Sequence, residues 1–221
     1  MPTILLLRHG QASFGTTDYD VLSDTGVRQA AVLKAALDER GITPDRLVSG
    51  ALRRQVDTAA PWGATSVDAR WDEYDSQDLL TAHSTSHATF EHPVDEHGRR
   101  LDSRDFQAVL DGGMQAWIAA GADSPAREPY PAFRGRVEAA LRDVAAGLDR
   151  GETAFVFTSG GVIAACCLIV LGLPDTALAA FNRVSVNTSV TKLVSGRSGV
   201  SLVSFNEHVH LDRHPDLLTY R

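Results

Sequence analysis

The sequence predicts an α/β fold in which a mainly parallel sheet is sandwiched by helices. Apolar runs of strand length alternate with longer segments whose apolar residues recur at helical spacing. The clearest strands are Thr3–Leu7 and Thr153–Thr158, and a helical pattern follows each of them. Strands that alternate with helices form parallel sheets covered on both faces. The 221 residues suit a single domain, 1–221, into which residues 75–131 are inserted as a lid.

The composition excludes several functional classes. With 28 acidic and 21 basic residues, the formal net charge of −7 argues against binding to nucleic acid or to anionic membranes. The longest apolar run, Val162–Leu171, is short of the roughly 20 residues that span a bilayer. Cys166 and Cys167 are adjacent, which does not suit a disulfide between them. These features predict a soluble protein in the reducing cytoplasm.

The first third of the chain alternates strands and helices. Thr3–Leu7 is mostly apolar, as expected for a strand buried on both faces. A helix follows, with Ser23 or Asp24 as its N-cap and Gly41 as its C-terminal stop. Three shorter elements come next: a strand over 46–49, a helix over 51–60 ended by Pro61, and a strand near 66–69.

The middle of the chain is less regular. Residues 75–102 contain four histidines and no sustained periodicity, which predicts helix fragments and loop. Phe106–Ile118 carries a helical pattern that Gly112-Gly113 interrupts. A proline-bearing linker over 123–131 leads to an amphipathic helix over 133–148.

The last third repeats the pattern of a strand followed by a helix. Its predicted elements are a strand over 153–158, a tight turn over 159–161, a buried helix over 162–171, a short helix from Pro174, and strands over 186–194 and 200–205. The two final strands are separated by turn residues.

Polar residues of a consistent kind follow three predicted strands. They are Arg8-His9-Gly10-Gln11, the segment 49–54 with Arg53 and Arg54, and Thr158-Ser159-Gly160-Gly161. Ligands of α/β proteins bind outside the carboxyl ends of strands. Guanidinium groups and helix N-termini both favour phosphate, and a histidine there can act as a nucleophile toward phosphorus. The sequence therefore predicts a phosphate site at this edge.

The same residues resemble those of a known family. The segment Leu7-Arg8-His9-Gly10-Gln11-Ala12 is similar to the RHG signature of the histidine phosphatase superfamily, in its phosphoglycerate mutase-like branch. Further blocks match in order: Leu22-Ser23 through Gly26 to Gln29-Ala30, then Leu52, Arg54, Thr58 and Ala59, and finally Asn206–Leu211. Gly50 stands where the family has a serine, and Glu73 lies where this branch places its proton donor.

The resemblance implies a role for each residue. His9 would attack the phosphoryl group and carry it as phosphohistidine, while Arg8 and Arg54 would hold its oxygens. Glu73 would protonate the leaving alcohol and then deprotonate the water that releases phosphate. No metal and no organic cofactor is implied, and the expected partner is a small phosphorylated substrate.

One position departs from the family pattern. The family has a second histidine where this chain has Ser159, within Thr158-Ser159-Gly160-Gly161. Ser159 and the Gly160 amide are still expected to bind phosphate, but a serine lacks the charge of an imidazolium. Loss of one preorganised donor typically costs about 10²–10³ in rate. His208 or His210 could instead fold into the place of that histidine.

Several residues have competing interpretations. Asp72 and Asp75 are alternatives to Glu73 as the acid, and Arg53 is interpreted as a solvated charge beside Arg54. His83, His87, His92 and His97 could suggest a metal site, but they lie in a loop-rich segment without a recognisable ligand signature. We therefore expect no metal there.

The function predicted first is a metal-independent phosphatase. The residues after Glu73, Tyr74-Asp75-Ser76-Gln77, differ from the substrate block of glycolytic mutases, so hydrolysis ranks above a mutase-type phosphotransfer. Ser159 supports another alternative, a phosphate-binding or regulatory protein with weak or no turnover. Substrate identity depends on residues 75–131, which carry no readable motif.

Overall fold

The computed structural model describes residues 1–13, 20–83 and 103–220. Its strands are β1 (Thr3–Arg8), β2 (Arg46–Ser49), β3 (Ser66–Val67), β4 (Thr153–Thr158), β5 (Val190–Gly196) and β6 (Gly199–Glu207). Its helices are α1 (Asp24–Glu39), α2 (Arg53–Ala59), α3 (Ser76–His83), α4 (Ser103–Ala120), α5 (Tyr130–Ala146), α6 (Gly160–Leu171) and α7 (Leu178–Val184). Short 3-10 turns connect several of them.

The strands form one mixed sheet in the order β3-β2-β4-β1-β5-β6. β3, β2, β4 and β1 are parallel, and Arg8 at the end of β1 lies opposite Thr158 at the end of β4. β5 is antiparallel to β1 and forms a hairpin with β6. The predicted α/β fold with a mainly parallel sheet is confirmed. The register brings the carboxyl ends of β1, β2 and β4 to one edge.

Helices cover both faces of the sheet, as the pattern of β1 requires. Leu5 and Leu7 pack in one buried cluster with Leu33 and Leu37 of α1. The alternate residues of β1, Ile4 and Leu6, belong to the larger cluster formed with α4, α5 and α6. Successive side chains of a strand point to opposite faces, so an apolar run of this kind is buried on both.

The ends of α1 follow the predicted capping signals. Ser23, rather than Asp24, is the N-cap, and its side chain accepts a hydrogen bond from the Gly26 amide. Gly41 follows the helix with φ +64, a left-handed conformation that glycine adopts without strain.

Two predicted boundaries were wrong. α4 continues through Gly112 and Gly113 because its face with Phe106, Met114 and Trp117 is buried. This packing outweighs the helix-propensity cost of glycine, which is about 1 kcal/mol per residue. β5 begins only at Val190, not at residue 186. Residues before it form a turn in which Thr188 has φ 60.

The predicted insertion lies partly outside the described residues. Of the segment 75–102, the structure describes Asp75 and α3, whereas residues 84–102 lie outside the described residues. Within the three described ranges, no helix combines the length and apolar character needed to cross a membrane.

Candidate active site

His9 lies directly after β1 and is 4% exposed. Its ring Nδ1 is 2.7 Å from the Gly10 carbonyl oxygen, and its Nε2 is 3.2 Å from Nε of Arg54. A carbonyl oxygen only accepts and a guanidinium only donates, so the proton is on Nδ1 and the lone pair is on Nε2. Burial first, and then the charges of Arg54 and Arg8, hold the pKa of His9 well below 6.5. The imidazole is therefore neutral, with its lone pair on Nε2.

The backbone around His9 is fixed from three sides. The His9 amide donates to the Thr158 carbonyl at the end of β4. The side-chain amide of Asn187 donates to the His9 carbonyl at 3.1 Å, and the Gly10 amide donates to Thr58 Oγ1 at 2.9 Å. These bonds tie His9 to β4, to the turn before β5 and to α2, which limits its movement.

Arg54 is positioned at the start of α2, where its side chain is largely buried. Its second contact is an ion pair of 2.7 Å between Nη1 and Oδ1 of Asp20. The other oxygen of Asp20 accepts the Arg53 amide at 2.7 Å, so one carboxylate caps the helix and orients the arginine. The Arg53 side chain is 61% exposed and lies 3.5 Å from Asp57, in line with its interpretation as a solvated charge.

Arg8 is 8% exposed at the end of β1. Its Nη1 donates to the backbone carbonyls of Ser185 and Tyr220, the latter at 3.0 Å. A Cβ atom at Gly160 would lie 3.4 Å from Arg8 Nε, so the arginine and the start of α6 are adjacent. The structure thus brings Arg8, His9, Arg54 and Gly160 to one edge of the sheet.

Glu73 lies at the same edge, before α3. Its Oε2 accepts the Gly161 amide at 2.9 Å and its Oε1 accepts the Tyr74 amide at 3.3 Å. A Cβ atom at Gly161 would be only 2.3 Å from Oε1, so this approach requires glycine. Burial raises the pKa of Glu73, against the opposing effects of the Gly161 amide, Arg54 and Arg8. The carboxyl group is therefore suited to hold a proton.

The two alternatives to Glu73 have other roles. Asp72 accepts the amides of Ala51 at 2.5 Å and Leu52 at 3.3 Å, ahead of α2. Asp75 accepts the amides of Gln77 and Asp78 in the first turn of α3. Asp75 thus caps α3, and Asp72 holds the backbone before α2. Burial raises the pKa of Asp72 as well, so these contacts, rather than the pKa, distinguish both aspartates from Glu73.

Ser159 is fully buried between β4 and α6. Its Oγ accepts a hydrogen bond of 2.8 Å from Nε2 of Gln55. His208 Nδ1 instead contacts the Asn206 carbonyl, and His210 Nε2 contacts Thr188 Oγ1 at 3.2 Å. Ser159 therefore binds the side-chain amide of Gln55 in α2, while His208 and His210 contact other residues.

Comparison with known proteins identifies the family. The profile of the histidine phosphatase superfamily (branch 1) matches residues 4–208. The chain belongs to the histidine phosphatase superfamily. No curated protein matches this histidine phosphatase by sequence.

Solved structures share the fold of this histidine phosphatase. A mutant phosphoserine phosphatase from Entamoeba histolytica in complex with phosphoserine has a TM-score of 0.65 at 19% identity, covering 96% of this chain and 100% of that chain. A mycobacterial glucosyl-3-phosphoglycerate phosphatase has a TM-score of 0.60 at 22% identity, covering 92% and 98%. A mycobacterial hydrolase has a TM-score of 0.62 at 24% identity, covering 93% and 98%.

The structure describes only part of the metal and thiol candidates of this histidine phosphatase. His83 Nε2 is 2.7 Å from Ser124 Oγ, while His87, His92 and His97 lie outside the described residues. Within the described ranges, no group of three His, Cys, Asp or Glu side chains is placed to hold a metal ion. Cys166 and Cys167 are free and buried, and burial raises the pKa of both thiols.

Sequence reasoning missed three residues of this histidine phosphatase site. Asp20 holds Arg54, Gln55 holds Ser159, and Asn187 holds the His9 backbone. Gln55 left a weak signal, because it is a polar residue beside Arg54 in a helix that packs on the sheet. Asp20 and Asn187 reach the site through loops, where side-chain spacing carries no structural signal.

Proposed function

We propose that this protein is a metal-independent phosphatase that hydrolyses a phosphomonoester through a phosphohistidine at His9. The observation that carries this proposal is the tautomer of His9. The Gly10 carbonyl accepts the proton on Nδ1, so the lone pair is on Nε2, beside Arg54. Family membership supports the phosphohistidine mechanism, in which a histidine is the phosphoryl acceptor.

The first step transfers the phosphoryl group to the protein. Nε2 of His9 attacks phosphorus, the bond to the ester oxygen breaks, and Glu73 gives its proton to that oxygen. As Nε2 turns from Arg54 to phosphorus, the guanidinium moves onto a phosphoryl oxygen, with Arg8, Ser159 and the Gly160 amide as further ligands. The alcohol then leaves.

The second step releases inorganic phosphate. The Glu73 carboxylate takes a proton from water, whose oxygen attacks phosphorus as the bond to Nε2 breaks. The pKa of Glu73, raised by burial, lets the same group act as acid and then as base. Because every proton passes between Glu73, the alcohol and water, the cycle needs no metal ion.

We propose a small phosphorylated substrate. The Entamoeba histolytica neighbour is a phosphoserine phosphatase whose structures contain phosphoserine and 3-phosphoglyceric acid, and such compounds are the first to assay here. The buried free thiols of Cys166 and Cys167 support a reducing, cytoplasmic location.

The experiment measures phosphate release from a panel of phosphomonoesters in the presence of EDTA. We expect turnover, an acid-labile phosphoryl group on His9 in a rapid quench, and a loss of at least about 10³-fold in His9→Ala. Activity that persists in His9→Ala, or that EDTA abolishes, contradicts the proposal.

A second candidate, a phosphate-binding protein with little turnover, is favoured by the uncharged Ser159. Binding of inorganic phosphate by calorimetry without hydrolysis of any ester in the panel would support it. A mutase-type transfer would instead appear as phosphoryl movement between two hydroxyl groups without phosphate release.

A further inference from the structure

Gln55 is a fully buried glutamine in α2, next to Arg54. Its Nε2 donates to the Trp71 carbonyl at 3.1 Å and to Ser159 Oγ at 2.8 Å. The Trp71 oxygen can only accept, which fixes the amide nitrogen on this side. Both amide hydrogens are therefore committed, one to the backbone before Glu73 and one to the serine.

This arrangement sets the direction of the Ser159 proton. A hydroxyl has one proton and two lone pairs, and Gln55 occupies a lone pair. The proton is then available to point away from the amide. Ser159 directly follows β4 and precedes Gly160, where an added Cβ would lie 3.4 Å from Arg8 Nε. We propose that Gln55 is a positioning residue that turns the Ser159 hydroxyl into a donor to the transferring phosphoryl group, an inference that rests on the proposed phosphatase function.

Gly50 provides the space that Gln55 uses. A Cβ atom at position 50 would lie 1.9 Å from Gln55 Oε1 and 2.5 Å from Asp72 Oδ1. Oε1 is buried and, among the described residues, has no hydrogen-bond partner, so the amide is held by its nitrogen. A side chain at position 50 would displace Gln55. The two departures from the family pattern, Gly50 and Ser159, are thus joined through one side chain.

Gln55 also connects the segment before Glu73 to the start of α6. The Trp71 carbonyl that accepts from Gln55 also accepts from Thr158 Oγ1 at 2.6 Å. A purely structural role would consist of this bridge alone. The proposal differs because it requires Gln55 to act on the phosphoryl group through Ser159.

A double-mutant cycle separates the two roles. We expect Ser159→Ala and Gln55→Leu each to lower kcat/KM and raise the Ki for inorganic phosphate by about 10- to 100-fold, the usual range for a hydrogen bond to a charged group. The double variant should be no worse than either single one, because both remove the same donor.

The control is Gln29, a second fully buried glutamine, which accepts the Gln11 amide and donates to the Leu217 carbonyl and to Thr219, and which makes no hydrogen bond to Ser159 within the described residues. Gln29→Leu should lower the melting temperature, and its effect on kcat/KM should add to that of Ser159→Ala. If the Gln55 and Ser159 effects also add, the positioning role is wrong. If the wild-type protein shows neither turnover nor phosphate binding, the phosphatase function itself is wrong.

Gly50 offers an independent test. Gly50→Ser should reduce kcat/KM at least as much as Gln55→Leu in the wild type, and less in a Gln55→Ala background, where only the 2.5 Å contact of the added Cβ with Asp72 Oδ1 remains. Gly112→Ser, at an open site on α4, should leave kcat/KM unchanged in both backgrounds. Equal losses from Gly50→Ser in both backgrounds would refute the coupling through Gln55.

The isosteric variant Gln55→Glu separates the two roles when it is compared in the wild-type and Ser159→Ala backgrounds. An ionised carboxylate accepts the Ser159 proton and so withdraws it from the phosphoryl group, whereas the protonated acid can donate. We therefore expect the effect of Gln55→Glu on kcat/KM to become smaller as pH falls, and this pH dependence to disappear in the Ser159→Ala background. A structural bridge to the Trp71 carbonyl predicts the same pH dependence in both backgrounds, so that result, or an effect that is constant with pH, contradicts the proposal.

Discussion

Arg54 donates its Nε–H to Nε2 of His9 over 3.2 Å. The arginine thus occupies the lone pair of the ring, and its charge helps to keep the ring unprotonated. In the proposed reaction this lone pair attacks phosphorus, and the contact passes from the ring nitrogen to a phosphoryl oxygen. The same guanidinium would then serve both the resting histidine and the transition state.

Removal of Arg54 should therefore be costly. We expect Arg54→Ala to lower kcat by about 10²–10³-fold, the range for a preorganised transition-state donor. Steady-state kinetics with a fixed phosphomonoester measure this loss. Arg53→Ala is the control, since its 61% exposed side chain pairs with Asp57, and it should change kcat by less than about threefold. Comparable losses in both variants would contradict the assignment of Arg54.

Activity should fall as pH rises through the pKa of Glu73. Attack requires neutral His9, whose pKa lies below 6.5, and protonated Glu73, whose pKa is raised above 4.5 by burial. The profile of kcat/KM should then decline on the alkaline side. Glu73→Gln should remove this decline and lower the rate on an alkyl phosphate by about 10²–10⁴-fold.

The leaving group provides a check on the role of Glu73. A nitrophenyl phosphate leaves as a stable anion and needs no proton, so Glu73→Gln should affect the phosphorylation of His9 by this substrate much less. Burst kinetics separate this step from the release of phosphate. An equal loss for both substrates would show that Glu73 is not the acid.

A methyl group at Gly161 should displace the acid while leaving the phosphate ligands in place. The added Cβ would lie 2.3 Å from Glu73 Oε1 and 2.5 Å from the Tyr74 ring. We expect Gly161→Ala to lower kcat by about 10²-fold, within the range for loss of general acid catalysis, with a nearly unchanged Ki for phosphate. Gly112→Ala, where a Cβ atom has open space, is the control. A Ki that rises in step with the loss of kcat would contradict this prediction.

Stability should decrease in acid because two histidines are buried in neutral form. Burial lowers the pKa of His210 to about 4, and burial with Arg54 and Arg8 lowers that of His9. The unfolded chain takes up these protons near pH 6.5. The contribution of the two neutral histidines to the free energy of unfolding is therefore complete above pH 6.5. It is lost as pH falls, by up to about 1.4 kcal/mol per pH unit for each histidine.

Urea unfolding at a series of pH values between 6.5 and 4 measures this loss. His210→Asn should have a shallower dependence of the unfolding free energy on pH, because one titrating group is gone. An identical slope in wild type and His210→Asn would show that His210 does not contribute.

Much of the fold followed from local signals in the sequence. The apolar run of β1, the cap at Ser23 and the stop at Gly41 each act over a few residues, and the structure confirms them. The continuity of α4 across its glycines depends on packing against distant residues, which periodicity does not report. The turn that precedes β5 depends on contacts between Thr188 and the Arg8 and His9 carbonyls, which are likewise remote in sequence.

The candidate site was predictable where motif residues follow strands. His9, Arg54 and Ser159 follow β1, β2 and β4, and neighbouring strands bring their ends together. Asp20 and Gln55 could not be assigned in this way. Their roles depend on which atom of another side chain they face, and spacing along the chain contains no such information.

The hydrogen bond from Arg8 to the Tyr220 carbonyl joins residues that are 212 positions apart. Because of this distance, the contact forms only after residue 220 has been synthesised. A nascent chain that has completed β1, β4 and the helices between them still lacks this support. Full competence to bind phosphate should therefore arise after the sheet edge that carries the site has already formed.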